Sequence, residues 1–199
     1  MKEIKMFQFF KKLFSSDFPD KQPISSDLPN KKLALVDKNK DKLIDYFFDE
    51  INLSQYVKHE KADIILKHLT HEIDLLKSAN VLSSEEKKSL GINPRLKITK
   101  DFIDILSDEG MKLEYPKEVL NNIYYRAFFK KSREEEYLKL KSLDIKNIKL
   151  MSSGVDDCKW CQKMQKKKAL SEEEIRYFID NKCQCEPYSK CYLEGEIKF

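Results

Sequence analysis

Five cysteines crowd into positions 158–191 of this 199-residue chain. They read Cys158-Lys-Trp-Cys161, then 21 intervening residues, then Cys183-Gln-Cys185 and Cys191. A Cys-x-x-Cys turn aims two thiolates at one cation. Tetrahedral zinc then needs two more ligands from a remote segment, each sulfur at about 2.3 Å. The spacing favours Cys185 and Cys191, because a five-residue loop closes between them; Cys183 is the alternative ligand or a free thiol. Four sulfurs leave no open position, so such a site is structural and not catalytic. A thioredoxin-like redox pair is the competing reading of Cys158-x-x-Cys161, but the expected βαβ context is missing. Residues 150–199 are too few for an independent core, and zinc coordination can supply folding free energy outright. The expected cofactor is therefore structural Zn2+.

An odd number of cysteines suits metal ligation better than disulfides, and reduced thiols place the chain in the cytoplasm. No stretch approaches the roughly 18 apolar residues of a membrane span. No signal peptide is expected either, since Lys5, Lys11 and Lys12 interrupt the apolar residues at the start. The charge of +4 is a small difference between 38 basic and 34 acidic residues, which permits a nucleic-acid partner without requiring one. With only 4 Gly and 6 Pro, an all-β fold full of tight turns is disfavoured. Runs of Lys, Glu, Leu and Ile favour helices instead. The expected class is mainly α, with a helical N-terminal region and a small α+β zinc-stabilised C-terminal module carrying a short β-hairpin.

Three stretches follow: 1–32, 33–112 and 113–199. Residues 1–14 place Phe7, Phe10 and Phe14 on one face of a helix, with lysines largely elsewhere. Such a helix packs on its own domain, docks on a protein partner, or makes peripheral contact with a membrane. Residues 15–32 carry Pro19, Pro23 and Pro29 among serines and read as a linker. Helical spacing then predicts a helix at 38–50 through Leu43, Ile44, Phe47 and Phe48. A second is expected at 58–78 through Ile65, Leu69, Ile73 and Leu76. Ser83 with Glu86 is a capping box for a short helix ending before Gly91. Thr99 caps a helix holding Phe102, Ile103 and Leu106, with Gly110 as its stop.

Pro116 suits the first turn of a long helix running to about 142. Val119, Ile123, Ala127 and Lys130 form one of its stripes, and Leu120, Tyr124 and Phe128 a neighbouring one. Ile148 and Leu150 alternate with lysines, so a strand is expected at 146–152, with 193–199 as its partner. Ser171 with Glu174 opens a helix at 172–180.

His59, His68 and His71 read as exposed helical residues. Arg133 and the three glutamates after it read as a solvated face. Lys163, Lys166, Lys167 and Lys168 beside Trp160 form a weak candidate for nucleic-acid binding, by backbone contact and base stacking. There is no phosphate-cradling Gly loop, no serine nucleophile elbow and no His-Glu zinc-protease motif, so no catalytic residue is assigned.

Residues from 116 onward resemble the C-terminal module of the phage Mu protein F-like head-morphogenesis (minor capsid) family. The resemblance rests on a helix at 116–142 with Arg126, Arg133 and Glu134, a strand at 145–152, and the Asp156-Asp157 turn. The Cys158/Cys161 pair and the closing segment Pro187-Tyr-Ser-Lys-Cys191 complete it. Tyr188 stands where such proteins often carry a His ligand, so Cys183 or Cys185 would replace it. The resemblance implies a structural role beside a phage portal or in head assembly, encoded by a prophage. A nucleic-acid-binding zinc protein and a toxin or defence component are the alternatives.

Overall fold

A computed structural model describes residues 31–152 and 156–196. The expected N-terminal helix at 1–14 and most of the 15–32 linker lie outside the described residues. All packing described below belongs to residues 35 onward.

The class is mainly α, with one two-stranded antiparallel ribbon. Helix α1 spans Lys31–Leu53 and starts earlier than expected. Its buried face is also rotated from the expected one: Tyr46, Phe47 and Ile51 are buried, whereas Phe48 is 46% exposed. A 3-10 turn at His59–Lys61 leads into α2, Ala62–Leu69. The periodic pattern had extended this helix to 78, but the chain leaves it at Thr70. The Thr70 hydroxyl donates back to the Leu66 carbonyl, and His71 adopts a left-handed φ of 64°. Leu75 then becomes the buried residue and Ile73 faces outward.

Helix α3 (Ser84–Ser89) begins at the expected capping box, with Ser83 and Glu86 satisfying each other's backbone N–H groups. It ends before Gly91, whose φ of 69° is the left-handed conformation glycine adopts without a Cβ penalty. Helix α4 (Lys100–Ile105) is capped by the Thr99 hydroxyl, also as expected. Gly110 does not stop that helix. It sits in a separate turn, α5 (Asp108–Met111), where a Cβ would meet the Tyr56 carbonyl oxygen at 2.1 Å. Close backbone approach, not helix termination, is its role.

Helix α6 (Glu118–Ser142) is the axis of the molecule, about 37 Å long at 1.5 Å per residue. Two hydrophobic cores lie against it. The first takes its N-terminal turns through Val119, Leu120, Ile123 and Ala127, packed with Phe47, Ile51, Ile65, Phe102 and Ile105. The second takes its C-terminal turns through Tyr137 and Leu140, packed with Ile148, Leu150, Phe178, Ile179 and Leu193. Between the two apolar patches the helix presents Arg126, Lys130 and Arg133.

Strand β1 (Ile148–Met151) pairs antiparallel with β2 (Tyr192–Gly195), with Leu150 opposite Leu193. The alternation seen in the sequence is the observed burial, Ile148 and Leu150 inward. The partner strand starts one residue earlier than expected. Helices α7 (Lys159–Met164) and α8 (Glu172–Ile179) lie between the strands in sequence, and α8 opens on the Ser171/Glu174 capping box. Among the described residues, no helix is long and apolar enough to cross a membrane.

Candidate metal centre

The cysteine segments meet because three local turns aim them at one point. Cys158 is the N-cap of α7 and Cys161 lies in its first turn, so both side chains face the same side of the helix start. Helix α8 ends at Asp180, and Asn181 reverses the chain with a φ of 55°. Cys183 and Cys185, separated by one residue, then both turn inward while Gln184 points to solvent.

The sulfurs of Cys158, Cys161, Cys183 and Cys185 all lie within 4.8 Å of one another. The Cys161 and Cys185 sulfurs are 3.6 Å apart. Tetrahedral zinc with bonds of about 2.3 Å puts its sulfurs about 3.8 Å apart, so the group has the size of a metal cage. Cys161 is fully buried, Cys183 and Cys185 are buried, and Cys158 is half-buried; all five cysteines are free thiols. The Cys158 backbone N–H donates to the Cys185 sulfur at 3.4 Å, tying the two segments together. This is the one group of three or more clustered metal-binding side chains among the described residues.

The quartet contains Cys183, where the spacing had favoured Cys191. The Cys191 thiol instead donates to Asp157 Oδ1 at 3.0 Å, beside the cluster. Asp157 also accepts from the Ser152 hydroxyl at 2.5 Å and from Gln165 Nε2 at 2.7 Å. Burial raises the Asp157 pKa, but the hydrogen bonds from Cys191, Ser152 and Gln165 outweigh it and hold the carboxyl below its ordinary value. Cys191 is thus next to the quartet, held by an anchored carboxylate.

The thiols themselves are unequal. Hydrogen bonds to Cys183 and Cys191, with burial, push the Cys161 thiol far up. Burial pushes Cys185 up to about 11. Cys183 is pulled down to about 5, chiefly by the hydrogen bond from Cys161, with a smaller contribution from the Arg133 charge. The thiols thus shift in opposite directions, Cys161 and Cys185 up and Cys183 and Cys191 down, and thiolate is the form a metal binds.

Arg133 was expected in solvent and is instead 4% exposed. Its guanidinium lies 4.2 Å over the Phe178 ring and donates to three oxygens. These are the Phe178 carbonyl at 3.3 Å, Asn181 Oδ1 at 2.7 Å and the Ser189 carbonyl at 2.5 Å. Its Nε is buried with no partner. Burial drives its pKa down to about 10, opposed by the surrounding thiols. One heptad earlier, Arg126 pairs with buried Glu50 at 2.7 Å, and Asn181 Nδ2 donates to the other Glu50 oxygen at 3.1 Å. Glu50, Asn181 and Ser189 carried no sequence signal for this role. For Arg133 the available signal was its place, with Arg126, on the helix that carries the resemblance.

Tyr188, at the position where the resemblance places a His, packs on Tyr125 and Phe129 at 5.4 and 5.2 Å. Trp160 is half-buried against Tyr177 and Phe178, with ring centroids 4.8 and 6.5 Å away. Of the four lysines near it, all exposed, Lys167 is ion-paired with Glu174. His68 accepts from the Leu75 N–H at 3.3 Å and gathers no metal ligands around it. Neither known protein families, nor curated proteins, nor solved structures match this chain.

Proposed function

We propose that this chain is a non-enzymatic structural protein whose C-terminal module is organised by one structural zinc ion, held by Cys158, Cys161, Cys183 and Cys185. The observation that carries this reading is the single group of four mutually close sulfurs drawn from two segments 21 residues apart in sequence. An all-sulfur, buried donor set suits zinc. When bound, the ion supplies a cross-link between the α7 turn and the loop after α8, and four sulfurs leave it no open position for substrate. The chain's own residues do the rest. Asp157 holds Cys191 beside the cluster, and the β1–β2 ribbon contributes Ile148, Leu150 and Leu193 to the same core. Maintaining these thiols requires a reducing compartment, consistent with the cytoplasm.

The partner in this reading is another protein, as in the phage head-morphogenesis proteins the module resembles. Within the module, Arg133 grips the closing segment at Ser189, and Asp157 grips Cys191. A nucleic-acid-binding role would lean on exposed Lys163, Lys166 and Lys168. Trp160 already packs on Tyr177 and Phe178, which favours the protein-partner reading.

Elemental analysis of the purified protein is expected to find about one zinc per chain, and Cys161→Ser to lose it. A metal-free protein that keeps residues 156–196 protease-resistant would overturn the zinc assignment. DNA or RNA binding that falls steeply with salt, and weakens when Lys166 and Lys168 are replaced, would overturn the protein-partner assignment.

A further inference from the structure

We propose that Arg133 is the positioning residue of this metal centre: reaching in from α6, it balances the charge of the sulfur cluster and clamps both loops that follow α8. Loading of the ion thereby locks the module onto the long helix. The inference rests on the zinc reading and concerns the same site.

A divalent ion with four thiolates carries a net charge of −2, and buried charge is expensive unless compensated. Arg133 is a buried cation that no carboxylate pairs with among the described residues. The nearby buried carboxylate, Glu50, is taken by Arg126 and Asn181. Three neutral oxygens accept from Arg133, and its Nε has no partner. A guanidinium stays protonated at neutral pH, and the ionisable groups that act on it are Cys183, Cys191, Cys161 and Cys185.

Position argues the same way as charge. Asn181 lies two residues before Cys183, and Ser189 two before Cys191; Arg133 bonds to both. The Ser189 hydroxyl in turn accepts from the Cys191 N–H at 3.3 Å and sits 3.9 Å from the Cys161 sulfur. One side chain therefore sets the spacing of two loops around the sulfurs. Linkage makes the effect mutual: whatever the ion gains from Arg133, the docking of Arg133 gains from the ion.

The test measures zinc affinity by chelator competition on the full chain, with cobalt(II) substituted to report the ligand set. Arg133→Lys keeps the charge, whereas Arg133→Gln keeps polarity without it. Residues that support metal ligands from outside typically change affinity about 10–100-fold, and Arg133→Gln is expected to weaken zinc by about 10-fold or more. Arg133→Lys keeps the charge without the three-way clamp, so it should restore part of that, with the cobalt–thiolate bands unchanged. Wild-type affinity in Arg133→Gln, or equal loss in both variants, overturns the proposal.

If Arg133→Gln fails to fold, the wild type still decides. Chelation must collapse the Arg133 Nε–Hε NMR signal, and an unchanged signal in metal-free protein overturns the lock. A wild type that binds no zinc sinks the underlying zinc reading, an outcome distinct from either of these.

Discussion

The two cores along α6 are built differently. The first buries 18 apolar side chains, none with sulfur, and Glu50, Lys87 and Thr99 are buried in the same part of the chain. The second buries 14, of which four are cysteines, and an unpaired arginine reaches into it. An apolar core of the first kind is stabilised by the area it removes from water, at about 25 cal/mol per Å2. The second has fewer apolar groups and concentrates polarisable, ionisable ones. In the zinc reading proposed above, those groups share a cation. The difference teaches that one helix can join a core held by apolar burial to one centred on clustered thiols.

The largest expected effect separates them outright. Chelation, or Cys183→Ser, should expose residues 156–196 to protease and leave 42–127 protected, read by limited proteolysis with mass spectrometry. Loss of protection in both regions together would mean that the metal serves the whole chain. The converse perturbation is Gly110→Ala, which drives a Cβ into the Tyr56 carbonyl. Overpacking of this kind costs about 3 kcal/mol, seen as a lower denaturation midpoint of the first core with zinc content unchanged.

Cys191→Ala should keep the zinc and lose about 1 kcal/mol, the size of one net hydrogen bond, here the one to Asp157. Release of metal from that variant would move Cys191 into the ligand set and displace Cys183. An effect of the same size, confined to one helix, is Ser171→Ala, which removes the α8 cap and costs about 1 kcal/mol. That loss should fall on the second core alone, measured by hydrogen exchange on α8 amides.

Much of this was legible because its causes are local. Both capping boxes join residues three apart, and β1 announces itself by alternation between neighbours. Cys158 and Cys161 meet within one turn for the same reason. The misreadings share the opposite property. Ile73 and Leu76 fit the helical period, but Thr70 and His71 end α2 through a backbone choice that periodicity does not register. Gly110 looked like a helix stop because its real reason, the Tyr56 carbonyl, lies 54 positions away. Arg133 precedes three glutamates and reads as surface; its burial is set by Phe178, Asn181 and Ser189, 45 to 56 positions on. Spacing favoured Cys191 over Cys183 as a ligand, but the loop after the turn at Asn181 brings Cys183 into the quartet and leaves Cys191 on Asp157.

Zinc-edge X-ray absorption on the purified protein bears most directly on whether sulfur from two distant stretches shares an ion. Four sulfur scatterers at about 2.3 Å are expected, falling below four in Cys183→Ser and staying at four in Cys191→Ser. A first shell dominated by nitrogen or oxygen, or one untouched by Cys183→Ser, would contradict it.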